Sequence, residues 1–243
     1  MNAQMDRPVC LVTGAGSGIG RAVCHRLSEA GWRLALVGRR AEKLTETGES
    51  LGREGADWVR LPADVSVAAK AEAIVGRTVE AFGRIDALVN NAGASPLKNV
   101  GQLETDEIES IFALNAVAPA VSAAAAVRAF KAGPNNGSGT IVTVSSVAAF
   151  DPFPGLGVYG AAKASTNTLA KALASEHSDD GVRALTVAPG AVETPLLRSL
   201  FDTDMLPESQ TLSPDDIAAV IVGFILGERD DENGSTVTVN SPS

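Results

Sequence analysis

Cysteine and histidine are scarce in this chain of 243 residues, which holds two of each. Cys10 and Cys24 both lie in apolar surroundings, and their spacing fits neither a disulfide framework nor a metal site. His25 and His177 stand outside any cluster of metal-ligating residue types. The sequence therefore predicts neither a disulfide-stabilised domain nor a metal centre.

Clusters of basic residues are also missing. The formal net charge is −9, and Arg39-Arg40 is the only adjacent basic pair. Binding to nucleic acid usually depends on a basic patch that contacts phosphates. We therefore expect no nucleic-acid partner.

Long apolar segments are absent as well. The longest strongly apolar run, residues 217–226, is about half the length of a membrane-spanning helix. Residues 1–7 contain no apolar stretch of the kind found in secretory signals. We expect no membrane partner and a cytoplasmic location.

Short apolar segments alternate with helix-forming segments along the whole chain. Strands are predicted over residues 8–13, 33–37, 58–61, 85–89, 140–144, 182–187 and 236–240. Helices are predicted over residues 18–30, 40–54, 66–82 (with Ser66 as N-cap), 106–130 and 157–177. This alternation is typical of a parallel sheet covered on both faces. We predict an α/β protein with one domain over residues 1–243, a Rossmann-type doubly wound sheet of about seven strands.

A glycine-rich turn follows the first strand and opens the first helix. It contains Gly14, Gly16, Gly18 and Gly20. Glycines permit a tight turn and a close approach of the backbone, and a helix N-terminus offers free N–H groups to phosphate. This context predicts a dinucleotide site in preference to an ordinary strand–helix turn.

The second strand ends in Gly38-Arg39-Arg40, where a site that prefers NAD carries an acidic residue. Arginine can bind a 2′-phosphate through two parallel hydrogen bonds, whereas a carboxylate would repel it. We predict a preference for NADP(H), with NAD(H) possible, Arg39 as the main contact and Arg40 as a second. The alternative is that both arginines are solvated charges at the start of a helix.

Tyr159 and Lys163 lie four residues apart on a predicted helix, so they share one face. A free tyrosine has a pKa of about 10, and a nearby cation lowers it by favouring the phenolate. We therefore expect Lys163 to make Tyr159 a usable proton donor or acceptor. Upstream, Pro119 removes the helical partner of the Asn115 carbonyl, which predicts a kink.

These motifs together resemble the short-chain dehydrogenase/reductase family, classical type, over nearly the whole chain. The resemblance implies a catalytic tetrad of Asn115, Ser146, Tyr159 and Lys163; Ser146 is chosen over Ser145 because it precedes Tyr159 by the family spacing. The cofactor contacts it implies are Gly14, Ser17, Gly18, Ile19, Gly20, Arg39, Arg40, Asp64, Val65, Asn91, Ala92, Gly93, Tyr159, Lys163, Pro189, Gly190, Val192 and Thr194.

The resemblance also implies roles for the tetrad. Tyr159 exchanges a proton with the substrate oxygen, Ser146 orients that oxygen, and Lys163 binds the nicotinamide ribose. Asn115 holds a water that links Lys163 to solvent. The expected reaction interconverts a small carbonyl compound and an alcohol, and the two long helices are expected to form a homodimer or homotetramer.

Two segments are open to more than one interpretation. Residues 194–213 carry an apolar stripe that could close over a substrate or pack on a neighbouring subunit. Phe150, Phe153 and Leu156 could line an apolar pocket or serve only the fold. Two other functions are alternatives: an NAD-dependent alcohol or sugar dehydrogenase of the same family, and a dinucleotide sensor without catalysis.

Overall fold

The structure is a computed structural model that describes residues 7–134 and 136–241. The N-terminal residues 1–6, which enter the secretory-signal argument, Asn135 and the last two residues lie outside the described part. Within it, seven parallel strands form one sheet in the order β3-β2-β1-β4-β5-β6-β7. The strands are β1 Val9–Thr13, β2 Arg33–Gly38, β3 Trp58–Pro62, β4 Ala87–Asn90, β5 Gly139–Val144, β6 Val182–Pro189 and β7 Thr236–Val239.

Helices connect the strands and cover both faces of the sheet. They are α1 Gly18–Glu29, α2 Ala41–Gly48, α3 Ala68–Phe82, α4 Thr105–Phe112, α5 Ala118–Ala132, α6 Gly157–Glu176, α7 Pro195–Leu200 and α8 Pro214–Ile225. The strand order reverses between β1 and β4, because the chain crosses from β3 at one edge to the other side of β1. Open α/β sheets bind ligands at such a point, beside the carboxyl ends of the strands. The predicted fold class is confirmed.

Both faces of the sheet are buried, which explains why the strands read as continuous apolar runs. Along β1, the side chains of Cys10 and Val12 pack on one face and those of Val9 and Leu11 on the other. Helices α1, α2 and α8 cover the first face, and α3, α5 and α6 cover the second. Cys10 and Cys24 are free thiols inside the first of these layers.

Two predicted helix boundaries are wrong. Helix α2 ends at Gly48 and does not continue to residue 54, because the chain turns at Gly52, whose φ of 121° is not helical and whose carbonyl accepts from the Trp58 indole N–H at 3.1 Å. Helix α3 begins at Ala68, and Ser66 does not cap it, since its hydroxyl donates to Asp64 at 2.7 Å. The first difference reflects the packing of Trp58 from β3, whereas the second reflects a local hydrogen bond between residues two apart, which competes with capping of the helix.

The helical stretch Thr105–Ala132 is apolar and long enough to cross a membrane by length and composition. Half of its most apolar window is buried inside the protein, where it forms part of the second layer. A core helix passes the same test, so the stretch is only weak support for a membrane span.

Candidate active site

The predicted site residues meet at the carboxyl edge of the sheet. The glycine turn follows β1, Arg39 and Arg40 follow β2, and Asp64 and Val65 follow β3. Asn91, Ala92 and Gly93 follow β4, Ser146 follows β5, and Pro189 to Thr194 lie at and after the end of β6. The remaining three come from helical segments that rise beside this edge, with Asn115 between α4 and α5 and with Tyr159 and Lys163 in α6.

The glycine turn has the shape of a phosphate cradle. Gly14 and Gly18 adopt positive φ values of 69° and 51°, which side chains disfavour. A Cβ on Gly20 would lie 2.4 Å from the Gly14 carbonyl oxygen. Ser17 is the N-cap of α1 and makes no side-chain hydrogen bond to the helix, while Ile19 packs on the first core layer. The first N–H groups of α1 therefore have no side-chain cap, and the turn fits a pyrophosphate.

Two side chains, Thr13 at the end of β1 and Asn91 after β4, join the turn to the neighbouring strand. The Thr13 hydroxyl accepts hydrogen bonds from the backbone N–H groups of Asn91 at 2.9 Å and Ala92 at 3.0 Å. The Asn91 amide donates to the Thr13 carbonyl at 2.9 Å. Asn91 thus supports the cradle with its side chain, and Thr13 is a positioning residue that the sequence analysis did not single out.

Arg21 and Thr47 support the turn from the other side and were also missed. Arg21 donates to the Gly16 carbonyl at 2.8 Å, and Thr47 donates to the Ala15 carbonyl at 3.0 Å. Thr47 lies in α2, far from the turn in sequence, so no local signal could have found it. Arg21 follows the last glycine of the motif, and that adjacency was the available signal.

Arg39 and Arg40 are both exposed beyond the end of β2. Among the residues that the structure describes, the side chain of neither arginine forms a hydrogen bond or an ion pair. The pKa of Asp64 is lowered, chiefly by the hydrogen bond from the Ser66 hydroxyl and in part by the charge of Arg39. Arg39 therefore lies close to Asp64 with its own hydrogen-bond donors available, while Val65 is buried in the second core layer.

Lys163 is almost completely buried, with 3% of its surface exposed. Its ammonium donates to the Val144 carbonyl at 2.7 Å and lies 5.7 Å from the centroid of the Tyr159 ring. Burial disfavours the charged form and lowers the pKa of Lys163 to about 8. The predicted shared face of α6 is thus present, and it places a cation beside the phenol.

Tyr159 does not have the lowered pKa that the sequence analysis expects. Loss of water around its hydroxyl raises the pKa of Tyr159 to about 12, and a hydrogen bond with Ser146 opposes this only in part. Desolvation is the largest cause of this rise, and the Lys163 ammonium is itself engaged by the Val144 carbonyl. In this structure Tyr159 is therefore a neutral phenol that can donate a proton.

The two adjacent serines have different environments. Ser145 is buried, and its hydroxyl donates to the carbonyl of Lys163 at 3.2 Å, which ties α6 to the end of β5. Ser146 is half-buried and caps a short 3₁₀-helix by accepting from the Ala148 N–H at 3.1 Å. The Ser146 hydroxyl lies near enough to Tyr159 to lower its pKa in part.

Asn115 lies in a π-helical turn, Ala113–Val117, between α4 and α5. The predicted disturbance four residues before Pro119 is present, in the form of a widened turn, which is common at functional sites. The Asn115 amide nitrogen donates to the carbonyls of Ala94 at 2.8 Å and Ile111 at 2.9 Å. Its buried side-chain oxygen has no partner within the described protein.

Gly93 separates Asn115 from Lys163. A Cβ on Gly93 would lie 2.9 Å from the Asn115 side-chain oxygen and 3.3 Å from the Lys163 ammonium. The unpartnered oxygen and the ammonium therefore face the same small space. Only glycine leaves that space open.

The segment after β6 borders the glycine turn. Gly190 donates to the Val239 carbonyl at 2.8 Å, and Val192 is buried in the first core layer. The Thr194 hydroxyl accepts from the Leu197 N–H at 3.2 Å and so caps α7. A Cβ on Gly18 would lie 2.9 Å from the Thr194 methyl group. The segment thus reaches from the end of β6 across to the phosphate cradle.

Ser241 is a further supporting residue that the sequence analysis did not find. Its hydroxyl accepts from the Ala191 N–H at 2.8 Å and donates to the Ala191 carbonyl at 3.2 Å. The C-terminal tail therefore fixes the loop that follows β6. A lone serine near a chain terminus carries no sequence signal for this role.

Comparison with known proteins gives consistent results. The model of the family described as "short chain dehydrogenase" matches residues 8–205. An uncharacterized oxidoreductase of Listeria monocytogenes is 32% identical over 97% of this chain and 96% of its own length. A 3-ketoacyl-(acyl-carrier-protein) reductase of Brucella melitensis, solved with NADH, is 29% identical with a TM-score of 0.87 over 97% of both chains. A short chain dehydrogenase of Burkholderia cenocepacia, solved with NADP, is 27% identical with a TM-score of 0.86 over 96% of both chains.

Replacing Gly93 with alanine tests the geometry of the site. In Gly93→Ala the new methyl group collides with the Asn115 oxygen and crowds the Lys163 ammonium, so turnover should fall by about tenfold or more. The measurement is kcat with any carbonyl substrate that wild type reduces, together with the melting temperature.

Gly101→Ala is the matched control, because a Cβ on Gly101 has no other atom within 4 Å. It should leave kcat unchanged. Equal kcat for Gly93→Ala and wild type would show that the space beside Gly93 is not needed.

Proposed function

The chain belongs to the short-chain dehydrogenase family, and from that premise we propose that it interconverts a ketone or aldehyde and an alcohol with NADP(H). It is an oxidoreductase that acts on CH–OH groups with a nicotinamide dinucleotide. The preference for NADP(H) and the role of Tyr159 as general acid and base are our proposals. The observation that carries the role of Tyr159 is the position of Lys163, whose ammonium lies 5.7 Å from the centroid of the Tyr159 ring and faces, beside Gly93, the same space as the Asn115 side-chain oxygen.

The proton chemistry follows from the environment of Tyr159. When bound, NADPH supplies a hydride, so that a ketone, NADPH and one proton give the alcohol and NADP⁺. Tyr159 donates its phenolic proton to the substrate oxygen, and its raised pKa keeps it protonated at neutral pH. Ser146, whose hydroxyl lies near Tyr159, orients the same oxygen.

Lys163 and Asn115 act on Tyr159 after it has given up its proton. The Lys163 ammonium, fixed by the Val144 carbonyl, stabilises the phenolate that remains. The unpartnered oxygen of Asn115 faces the same space as Lys163, so it can hold a water through which Tyr159 is reprotonated. The ammonium has two further donors, and these would bind the nicotinamide ribose.

The preference for NADP(H) rests on Arg39. Its guanidinium is exposed beyond β2, close to Asp64, and it has no partner among the described residues. A 2′-phosphate placed there would gain a bidentate, charge-assisted pair. Solved proteins similar to this chain bind either NADH or NADP. Cofactor choice therefore depends on this chain's own residues.

The homodimer or homotetramer predicted from the sequence has support from an apolar stripe. Phe112, Val117, Ala120 and Ala124 are all exposed along the α4–α5 rod, and the first two show 37% and 45% of their surface. Small and apolar side chains in such a row favour close packing against a second helix. The cytoplasmic location stays a prediction of the sequence.

Removing Arg39 should weaken the binding of NADPH selectively. The Kd of Arg39→Ala for NADPH should rise by about 10- to 100-fold, as expected for the loss of a charge-assisted pair, while the Kd for NADH stays constant. Fluorescence titration with both cofactors measures this, and Arg40→Ala provides the comparison with a smaller effect. Equal binding of NADH and NADPH by wild type would overturn the proposed preference and favour the NAD-dependent alternative.

Removing the phenolic hydroxyl tests the reaction. Tyr159→Phe should lower kcat for carbonyl reduction by about 10²- to 10⁴-fold, the contribution typical of a general acid, with an unchanged Kd for NADPH. The measurement is NADPH oxidation with a panel of ketones and aldehydes. Full activity of the variant would refute the role of Tyr159. A wild-type protein that binds NADPH and reduces nothing would favour the dinucleotide sensor.

A further inference from the structure

Two segments that border the active site are joined by an aromatic contact. Phe153 belongs to the loop between Ser146 and Tyr159, and Phe201 directly follows α7 in the segment after β6. Their ring centroids lie 5.3 Å apart at an interplanar angle of 87°, an edge-to-face geometry that is attractive between aromatic rings. This contact joins segment 194–213, just after α7, to the loop that leads from Ser146 into α6.

Apolar surface at this entrance is left open. Phe153 exposes 53% of its surface although it contacts Phe201, and Met205, in the turn after Phe201, exposes 63%. Large apolar side chains that stay exposed near a site favour the binding of apolar ligands. Phe153 and Met205 therefore present an aromatic ring and a thioether to a molecule bound there.

The cations of the entrance are already paired. In residues 94–98, 146–159 and 190–213, all of which the structure describes, the basic residues are Lys98 and Arg198. Lys98 pairs with Glu107 at 2.6 Å. Arg198 donates to the Glu193 carboxylate and, at 2.8 Å, to the Leu206 carbonyl. Neither is available to bind the charge of an anionic substrate.

The remaining charges at the entrance are negative. Asp202, Asp204 and Glu208 are exposed on the segment that follows α7, and Asp151 is exposed on the loop before Phe153. Like charges near a binding site raise the cost of bringing in an anion and slow its encounter. Substrates that carry a carboxylate or a phosphate are therefore disfavoured by the same surface that attracts apolar groups.

We infer that this site takes an uncharged, apolar ketone or aldehyde, held against Phe153 and Phe201, and that it discriminates against anionic carbonyl compounds. The inference rests on the proposed carbonyl reduction at Tyr159, and it adds the substrate class. It assigns specificity to the Phe153–Phe201 pair and to the acidic segment 202–208, neither of which takes part in the chemistry.

A matched pair of substrates tests the inference directly. Methyl 4-acetylbenzoate and 4-acetylbenzoate present the same ketone on the same ring, and only the second carries a negative charge. With NADPH as reductant, kcat/KM for the ester should exceed that for the carboxylate by about tenfold or more. This is the discrimination expected from one unfavourable charge together with the loss of apolar contact. Equal values, or a higher value for the carboxylate, would overturn the inference while leaving carbonyl reduction established.

Variants then identify the residues responsible. Phe201→Ala should lower kcat/KM for the ester about fivefold, with little change for the carboxylate. Phe201→Leu should retain most of the wild-type kcat/KM for the ester, because leucine keeps apolar volume. Equal losses for both substrates would indicate a structural role and contradict the assignment of Phe201 to specificity.

Charge reversal provides the second test. Asp204→Lys should raise kcat/KM for the carboxylate about threefold at low salt, and the gain should shrink in high salt. Asp179→Lys is the matched control, since Asp179 is equally exposed but lies between α6 and β6, at the opposite edge of the sheet. The same gain from both variants would contradict a local effect.

If wild type binds NADPH but reduces neither ketone nor any member of a wider panel, the proposed function fails, and this inference fails with it.

Discussion

The buried ammonium of Lys163 is the constraint on which the rest of the site depends. A lysine with 3% of its surface exposed is destabilised in its charged form, and burial lowers its pKa from 10.5 to about 8. A shift of that size corresponds to a cost of about 3 kcal/mol. The cost is present in full below pH 8 and disappears as the pH rises toward 10.5, because the unfolded chain then holds more protons than the folded one. This loss of folding free energy accompanies the placement of a cation beside Tyr159.

The surrounding structure is arranged around that charge. The Val144 carbonyl binds the ammonium, and Ser145 ties the backbone of Lys163 to the end of β5. Gly93 keeps the space next to the ammonium open. The π-helical turn then brings the unpartnered oxygen of Asn115 to the same space. A dry environment that favours a neutral phenol and a polar path to solvent are therefore combined within one small region.

Much of this arrangement could be predicted from the sequence, because it depends on local patterns. Continuous apolar runs such as that of β1 predicted strands buried on both faces, and their alternation with helices predicted the parallel sheet. Since parallel strands end at one edge, residues far apart in sequence could be expected to meet there. Pro119 likewise predicted a disturbed helix, because a missing N–H is a property of the residue itself.

Other features could not be predicted, because they depend on packing between distant segments. The Trp58 indole holds the turn after α2 by donating to the Gly52 carbonyl, and Ser241 binds Ala191, which lies 50 residues earlier in the chain. The sign of the Tyr159 pKa shift is the most instructive case. The spacing of Tyr159 and Lys163 correctly indicated that they are neighbours, but only the packed structure shows that burial raises the pKa of Tyr159.

The protonation state of Tyr159 tests the account most directly, and Tyr159 is the single tyrosine of the chain. A spectrophotometric titration of phenolate absorbance in the cofactor-free protein therefore reports on this residue alone, with Tyr159→Phe as the blank. The account predicts that no phenolate forms up to about pH 11 while the protein stays folded, since an ordinary tyrosine titrates near 10. A phenolate that appears with a midpoint below about 10 would show that the charge of Lys163 prevails over desolvation, and would contradict the account.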